Sequence, residues 1–106
     1  MTEKYVYIKN LGEKIPEIPV DSILSQILVK NDQLEVTLFQ FARGQELTEH
    51  TSSFPAIVHI LNGSGSMMLG SDRVELQAGT WVYMPPNLSH SLQTDSPMTM
   101  LLTLRK

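Results

Sequence analysis

Short apolar stretches alternate with turn-forming residues along most of the chain. The stretches have the length of β-strands, and Gly, Pro, Asn and Asp separate them at roughly the 8 to 12 residue spacing that is typical of all-β sandwiches and barrels. The pattern therefore predicts an all-β fold, with strands over residues 5–8, 33–43, 56–61, 66–69, 73–77, 80–84, 90–94 and 98–104. Residues 21–29 fit a helix or a strand equally well, because the run is too short for its periodicity to decide.

The longest predicted strand, residues 33–43, carries apolar side chains on both of its faces. Phe39 and Phe41 alternate with Leu38 and Ala42, and successive side chains of a strand point to opposite sides. We therefore expect other parts of the chain to pack on both sides of this strand, as in a sandwich or barrel.

The composition describes one globular domain and argues against several classes of partner. The chain has 106 residues, of which 42% are hydrophobic and 18% charged, enough for a single core. Its net charge of -3, without a cluster of Lys and Arg, argues against nucleic-acid binding. It has no apolar run long enough for a membrane span, no signal-peptide core and no cysteine for a disulfide. We expect a cytoplasmic protein without nucleic-acid or membrane partners.

Two histidines stand at similar places in two glycine-led blocks of the chain. His50 follows a turn at Gly44 and precedes an apolar strand, and His90 follows the rigid corner at residues 85–87. If both point into one closed β structure, they mark a common site. Such a pair suits metal ligation or the orientation of a ligand in an apolar pocket. The third possibility is two buried histidines that are held by structural hydrogen bonds.

The spacings around His50 resemble the first motif of the cupin family. That motif reads Gly, five residues, His, one residue, His, three or four residues, Glu, six residues, Gly. The same spacings fall here on Gly44, His50, Ser52, Ala56 and Gly63. The glycines and the first histidine match, whereas serine and alanine replace the second histidine and the glutamate.

The spacings around His90 resemble the second motif of the same family. That motif reads Gly, five residues, Pro, one residue, Gly, two residues, His, three residues, Asn. The same spacings fall here on Gly79, Pro85, Asn87, His90 and Thr94. Asparagine and threonine thus replace the glycine and the asparagine of the family pattern.

The resemblance covers residues 33–104 and implies a cupin-like double-stranded β-helix, the jelly-roll barrel. It implies a single domain over residues 1–106, in which 1–32 form an N-terminal arm and the first strands and 33–104 form the core barrel. It also implies a homodimer, because small cupins commonly pair through an exchanged or added N-terminal strand, here residues 1–10.

The resemblance further implies a site for one divalent metal, Fe, Mn, Ni or Zn, although most of the ligand set is missing. In the family, the two histidines and the glutamate of the first motif bind the metal together with the histidine of the second. Only His50 and His90 remain of these four. Centres of this type need at least three protein ligands, commonly two His and one carboxylate. A third ligand from elsewhere would have to be a residue such as Glu46, Glu49 or Gln40.

Three functions are compatible with this set of residues. The favoured one is a barrel that binds a small-molecule ligand, in which His50 and His90 orient the ligand. Its pocket would be lined by Ser52, Ala56, Val58, Met84 and Leu92. The alternatives are a metal-dependent enzyme of dioxygenase or isomerase type and a structural module without catalysis. Alanine at the glutamate position argues against the enzyme, and the paired histidines argue against the structural module.

Two further side chains are expected away from this pocket. His59 lies three residues after Ala56 on the same predicted strand, so its side chain should point to the opposite, outer face. Trp81 is expected in the core or at a subunit interface.

Overall fold

Nine β-strands make up most of the regular structure in the computed structural model, which describes residues 5–14 and 17–106. A short 3-10 helix, Leu11–Lys14, precedes them. The predicted all-β fold is confirmed, and no helix within the described ranges is long and apolar enough to cross a membrane. The strands are β1 (Ile23–Lys30), β2 (Leu34–Phe41), β3 (Glu46–His50), β4 (Ala56–Asn62), β5 (Gly65–Leu69), β6 (Asp72–Leu76), β7 (Trp81–Met84), β8 (His90–Thr94) and β9 (Met98–Arg105).

The strands form two antiparallel sheets. One sheet has the strand order β1-β2-β9-β4-β7 and the other has the order β3-β8-β5-β6. Only β1 with β2 and β5 with β6 are hairpins between consecutive strands, so most neighbours are distant in sequence. Strand β8 returns to pair with both β3 and β5, and β9 returns to pair with both β2 and β4. Strands β3 and β8, which carry His50 and His90, are therefore neighbours in one sheet.

The core is made of the alternate, inward-facing residues of both sheets. On β4 the buried residues are Ala56, Val58 and Ile60, whereas Ile57 and His59 are only partly buried. Burial of one face fixes the register, because a slip by one residue would turn every core side chain to the outside. The core cluster comprises Phe41, Ala56, Val58, Ile60, Met67, Leu76, Met84, Leu92, Met98 and Met100.

Strand β2 is packed on both faces, as its sequence predicts. Phe39 and Phe41 stack with ring centroids 6.0 Å apart and contact the core cluster. Leu38 and Gln40 are buried on the opposite face, where they line a small cavity together with Lys14 of the N-terminal segment. This packing explains why the strand is apolar on both sides.

The N-terminal segment differs from the prediction in one place and resolves an ambiguity in another. Residues 5–8 form no strand, so that prediction is wrong. Tyr5 and Tyr7 are 78% and 73% exposed, and β-rich sequence becomes a strand only when another strand supplies hydrogen-bond partners. Most of the ambiguous residues 21–29 belong to β1, because the strand begins at Ile23 and pairs with β2, while residues 21 and 22 precede it. Residues 1–4 of the predicted arm lie outside the described residues.

Candidate ligand-binding site

His50 and His90 lie side by side on neighbouring strands. They are register partners at the end of β3 and the start of β8. Their ring centroids are 4.2 Å apart, and the ring planes are inclined at 60°. The His50 side chain is exposed and that of His90 is half-buried, so the pair stands where the barrel interior opens to solvent. The structure therefore brings together the two histidines that the motif spacings singled out.

A β-bulge in β3 gives His50 its direction. Leu47 pairs with Leu92 and His50 with His90, so two residues of β3 stand opposite one residue of β8. In a regular strand, the side chains at positions 47 and 50 would point to opposite faces, since the two positions are three residues apart and side chains alternate at every residue. The extra residue of the bulge shifts the alternation of side chains by one position. As a result, Leu47 and His50 both line the same cavity.

Each histidine ring is anchored by the same local hydrogen bond. Nδ1 of His50 is 2.8 Å from the carbonyl oxygen of Thr48, and Nδ1 of His90 is 2.8 Å from that of Leu88. A carbonyl oxygen can only accept a hydrogen bond, so Nδ1 must carry the hydrogen in both rings. In the neutral form of each imidazole, Nε2 is then unprotonated and free to accept a hydrogen bond or to coordinate. The two rings thus present a matched pair of acceptor nitrogens.

The histidine pair borders an apolar cavity of about 220 Å³ inside the barrel. No Asp, Glu, Lys or Arg side chain lines it. Apart from the histidines, Ser91 is the only polar residue of the lining. The lining consists of Phe39, Leu47, His50, Val58, Met67, Met84, His90, Ser91, Leu92, Met100 and Leu102. Such a cavity combines a large apolar surface with a few convergent polar atoms, the usual make-up of a small-molecule pocket.

Three of the five predicted pocket residues line this cavity, namely Val58, Met84 and Leu92. Ala56 belongs to the core beside them and is 4% exposed, but its short side chain does not reach the cavity wall. Ser52 does not line the cavity. Its hydroxyl accepts a hydrogen bond from the backbone N–H of Phe54 at 3.1 Å, within its own loop.

Several lining residues escaped the sequence analysis for different reasons. Phe39 could have been assigned from the alternation of β2, and Met100 and Leu102 from that of β9, because they share a face with buried Phe41 and Met98 respectively. Leu47 had no such signal. Strand β3 is mostly polar and exposed, so the Glu-Leu-Thr-Glu-His sequence does not read as a strand.

Residues that depart from the motif pattern hold the loops of the site. Asn87 has φ +68°, the left-handed region in which Asn is the residue best tolerated after Gly. Its backbone N–H donates to the carbonyl oxygen of Ser52 at 2.7 Å and so joins the loops of the two motifs. The buried hydroxyl of Thr94 accepts from the N–H of Gln45 and donates to the carbonyl oxygen of Ala42, both at 2.9 Å. It fixes the turn that leads into β3.

The candidates for a third metal ligand all lie elsewhere. Gln40 is on the outer face of β2. Glu46 and Glu49 border a separate surface groove outside β3, and the Ser89 hydroxyl donates a hydrogen bond to Glu49. Among residues 5–14 and 17–106, no group of three or more His, Cys, Asp and Glu side chains could hold a metal ion.

The outer face of the five-stranded sheet carries the two side chains expected away from the pocket. His59 is half-buried on the outward side of β4, opposite Trp81 of edge strand β7. Trp81 is 60% exposed and Tyr83 is 53% exposed. A core position for Trp81 is therefore wrong, because an edge strand has no neighbour on one side to cover its outer side chains.

Comparison with known families decides to which group this barrel belongs. Residues 37–104, well over half of the chain, match the family model described as the cupin domain. The chain belongs to the cupin family. The cupin-like jelly-roll barrel expected from the two motifs is thereby confirmed, while no curated protein sequence matches the chain.

Solved structures agree with this assignment. A conserved protein of unknown function from Streptococcus pyogenes is 28% identical, with 98% of this chain and 90% of that chain covered and a TM-score of 0.85. A cupin superfamily protein from Desulfitobacterium hafniense is 20% identical, with 99% and 98% covered and a TM-score of 0.86. The DMSP lyase DddQ from Ruegeria pomeroyi is 22% identical, with 79% and 47% covered and a TM-score of 0.74. These likenesses show a shared fold, and a shared fold does not by itself give a function, which must be argued from the site.

Cupins often bind a metal, but the donor set at the two motifs, among the residues that the structure describes, does not fit the usual centre. Two imidazole nitrogens are present, whereas catalytic metal sites use at least three protein ligands. Ala56 has no donor atom, and the hydroxyl of Ser52 is engaged with its own loop. The chain has the barrel of the family, but two of the four metal-ligand positions of the motifs are occupied by Ser52 and Ala56.

Proposed function

We propose that this cupin binds a compact, mostly apolar small molecule in the barrel, with a polar group of the ligand at His50 and His90. The observation that carries the proposal is the pair of adjacent imidazoles on an otherwise almost wholly apolar cavity. An apolar cavity of about 150 Å³ is large enough for benzene. The cavity here, at about 220 Å³, admits a six-membered ring with one or two small substituents.

The lining supports binding more than bond-breaking chemistry. It contains no Asp, Glu, Lys, Arg or Cys, so a general acid, a general base or a nucleophile would have to be one of the two histidines or Ser91. Met67, Met84 and Met100 form a flexible, polarisable part of the wall. Methionine adapts to ligands of irregular shape, which suits a binding pocket.

Cyclohexanol is a suitable probe of the cavity, because it combines a six-membered apolar ring with one hydroxyl. In protein labelled at the methionine methyl groups, we expect its addition to shift the NMR signals of Met67, Met84 and Met100. Met68 is an internal control, since it is 37% exposed on the opposite side of β5 and does not line the cavity.

Two phenylalanine variants on one strand test whether the probe occupies the barrel. Val58→Phe fills part of the cavity and should abolish the methionine shifts. Ile57→Phe adds the same group on the outer face of β4 and should leave them intact. Unchanged signals of all three cavity methionines at saturating cyclohexanol would refute the proposed function.

A second candidate function is a metal-dependent reaction, and one observation favours it. Both Nδ1 atoms are hydrogen-bonded to carbonyls, the arrangement that commonly orients metal-binding histidines through Nε2. With two protein ligands we expect weak binding, so protein purified without a tag and dialysed should hold far less than one equivalent of Fe, Mn, Ni or Zn by mass spectrometry. A full equivalent that is lost in both His50→Ala and His90→Ala would favour the enzyme instead.

A homodimer is a further proposal, supported by exposed apolar side chains. Trp81 and Tyr83 stand on edge strand β7, and Tyr5 and Tyr7 belong to a β-rich segment without a partner strand among the described residues. Light scattering after size exclusion should give twice the 11.9 kDa chain mass. Trp81→Lys with Tyr83→Lys should give the monomer, whereas Met68→Lys on the other sheet should not. A monomeric wild type at micromolar concentration would rule the dimer out.

A further inference from the structure

The two acceptor nitrogens of the site restrict the chemistry of its ligand. Neutral His50 and His90 both carry hydrogen on Nδ1, because each donates to a carbonyl oxygen. Their Nε2 atoms can therefore only accept hydrogen bonds. A ligand head that is itself only an acceptor, such as an ether or a ketone, would meet two lone pairs. The polar head of the ligand must donate.

The closeness of the two rings sets how many donors are needed. With ring centroids 4.2 Å apart at the edge of one cavity, both imidazoles lie within reach of two neighbouring groups of one ligand. A head with one donor engages one nitrogen and leaves the second to water. A head with two neighbouring donors engages both nitrogens and gains the free energy of one further hydrogen bond.

The rest of the lining argues against a charged head. No Lys, Arg, Asp or Glu side chain lines the cavity to balance an anion or a cation. An uncompensated charge in apolar surroundings is strongly unfavourable. A neutral head with two donors on an apolar body meets all of these conditions.

We propose that the ligand carries two adjacent hydroxyl groups, a vicinal diol, on a compact apolar body, with one hydroxyl donating to Nε2 of each histidine. This inference rests on the proposed function, of which it names the ligand class. It requires no metal and no reaction.

A series of three cyclohexane derivatives tests it, because the number of donors falls while the ring stays the same. These are cis-cyclohexane-1,2-diol with two donors, 2-methoxycyclohexanol with one and 1,2-dimethoxycyclohexane with none. Binding of each compound is titrated at one fixed pH in the presence of EDTA, which removes metal ions. Because a net hydrogen bond contributes about 1 kcal/mol, each methylation should weaken binding roughly fivefold to tenfold.

Variants of one histidine show whether the donors act at the pair. In His90→Phe the second acceptor is gone, so the diol and the monomethyl ether should bind equally. His90→Gln keeps a side-chain acceptor and should retain part of the difference if the phenylalanine variant folds poorly. His59→Phe, which changes the histidine on the outer face of β4, should leave the whole series unchanged.

The outcomes separate this inference from the proposed function. Equal affinity of all three compounds, or binding of cyclohexanol without binding of the diol, would overturn the diol inference and leave a small-molecule pocket. Diol binding that appears only after a metal ion is added would overturn it in favour of chelation. Absence of binding by both cyclohexanol and the diol would overturn the two proposals together.

Discussion

Replacement of Gly63 by alanine is expected to lower the free energy of unfolding by about 3 kcal/mol or more, a large part of the stability of a domain of this size. Gly63 has φ +91°, a conformation that costs energy for any residue with a Cβ. A Cβ at this position would lie 2.6 Å from Cα of Met98 and would overlap the carbonyl oxygen of Pro97. Carbon atoms in contact are normally about 3.5 to 4.0 Å apart, so the turn or the start of β9 would have to move.

Gly44→Ala is the matched control for this experiment. Gly44 has a similar φ of +75°, but apart from its neighbours in the chain no residue comes within 4 Å of the position that its Cβ would take. Only the backbone strain remains, which should cost about 1 kcal/mol. Urea denaturation of both variants separates the two effects. Equal losses of stability would mean that the contact between the Gly63 turn and β9 is looser than the structure indicates.

Ala56→Glu is expected to destabilise the protein by about 3 kcal/mol in the absence of metal, because it buries a carboxylate without a partner. Ala56 is 4% exposed, and its register partner Met84 lines the cavity beside the histidines. Ala56→Gln has nearly the same volume without the charge. It should therefore be less destabilising and insensitive to divalent metals in thermal unfolding.

The double variant Ser52→His, Ala56→Glu restores all four ligand positions of the cupin motifs. If the motif positions still surround one point in space, Ni²⁺ should stabilise this variant. Ni²⁺ at a free concentration a hundred times its dissociation constant would raise the free energy of unfolding by about 2.7 kcal/mol. The wild type and Ala56→Gln should show no such gain. Melting temperatures of the double variant that do not change with Ni²⁺ would mean that these positions no longer converge.

Most of the strand pattern was predictable because its signals are local. Each of these signals involves only a few consecutive residues. They include the alternation on β4, the Asn62-Gly63 turn and the short polar turns after β5 and β6. The two failures have a common cause. Residues 5–8 have strand-like composition without a paired neighbour, and polar β3 becomes a strand because β8 pairs with it. Strand formation at the margins depends on partners that lie far away in sequence.

The motif spacings pointed both to the histidines of the site and to residues that hold its loops. They identified His50 and His90, which the structure places 4.2 Å apart. They also flagged Asn87 and Thr94 as departures from the family pattern, and the structure gives both a structural role. Asn87 takes a left-handed conformation of the kind that favours glycine, and Thr94 holds the turn before β3.

The sequence by itself indicated the barrel, its two motif loops and the loss of most metal ligands, because its spacings resemble the two cupin motifs and its residues differ from them at two ligand positions. Only the tertiary structure decided how the site is built. The bulge between Leu47 and His50 exists through pairing with β8, and it turns His50 toward the cavity. The carbonyls of Thr48 and Leu88 decide which nitrogen of each histidine is left to a ligand. Register and hydrogen-bond geometry arise between segments, so no stretch of sequence contains them alone.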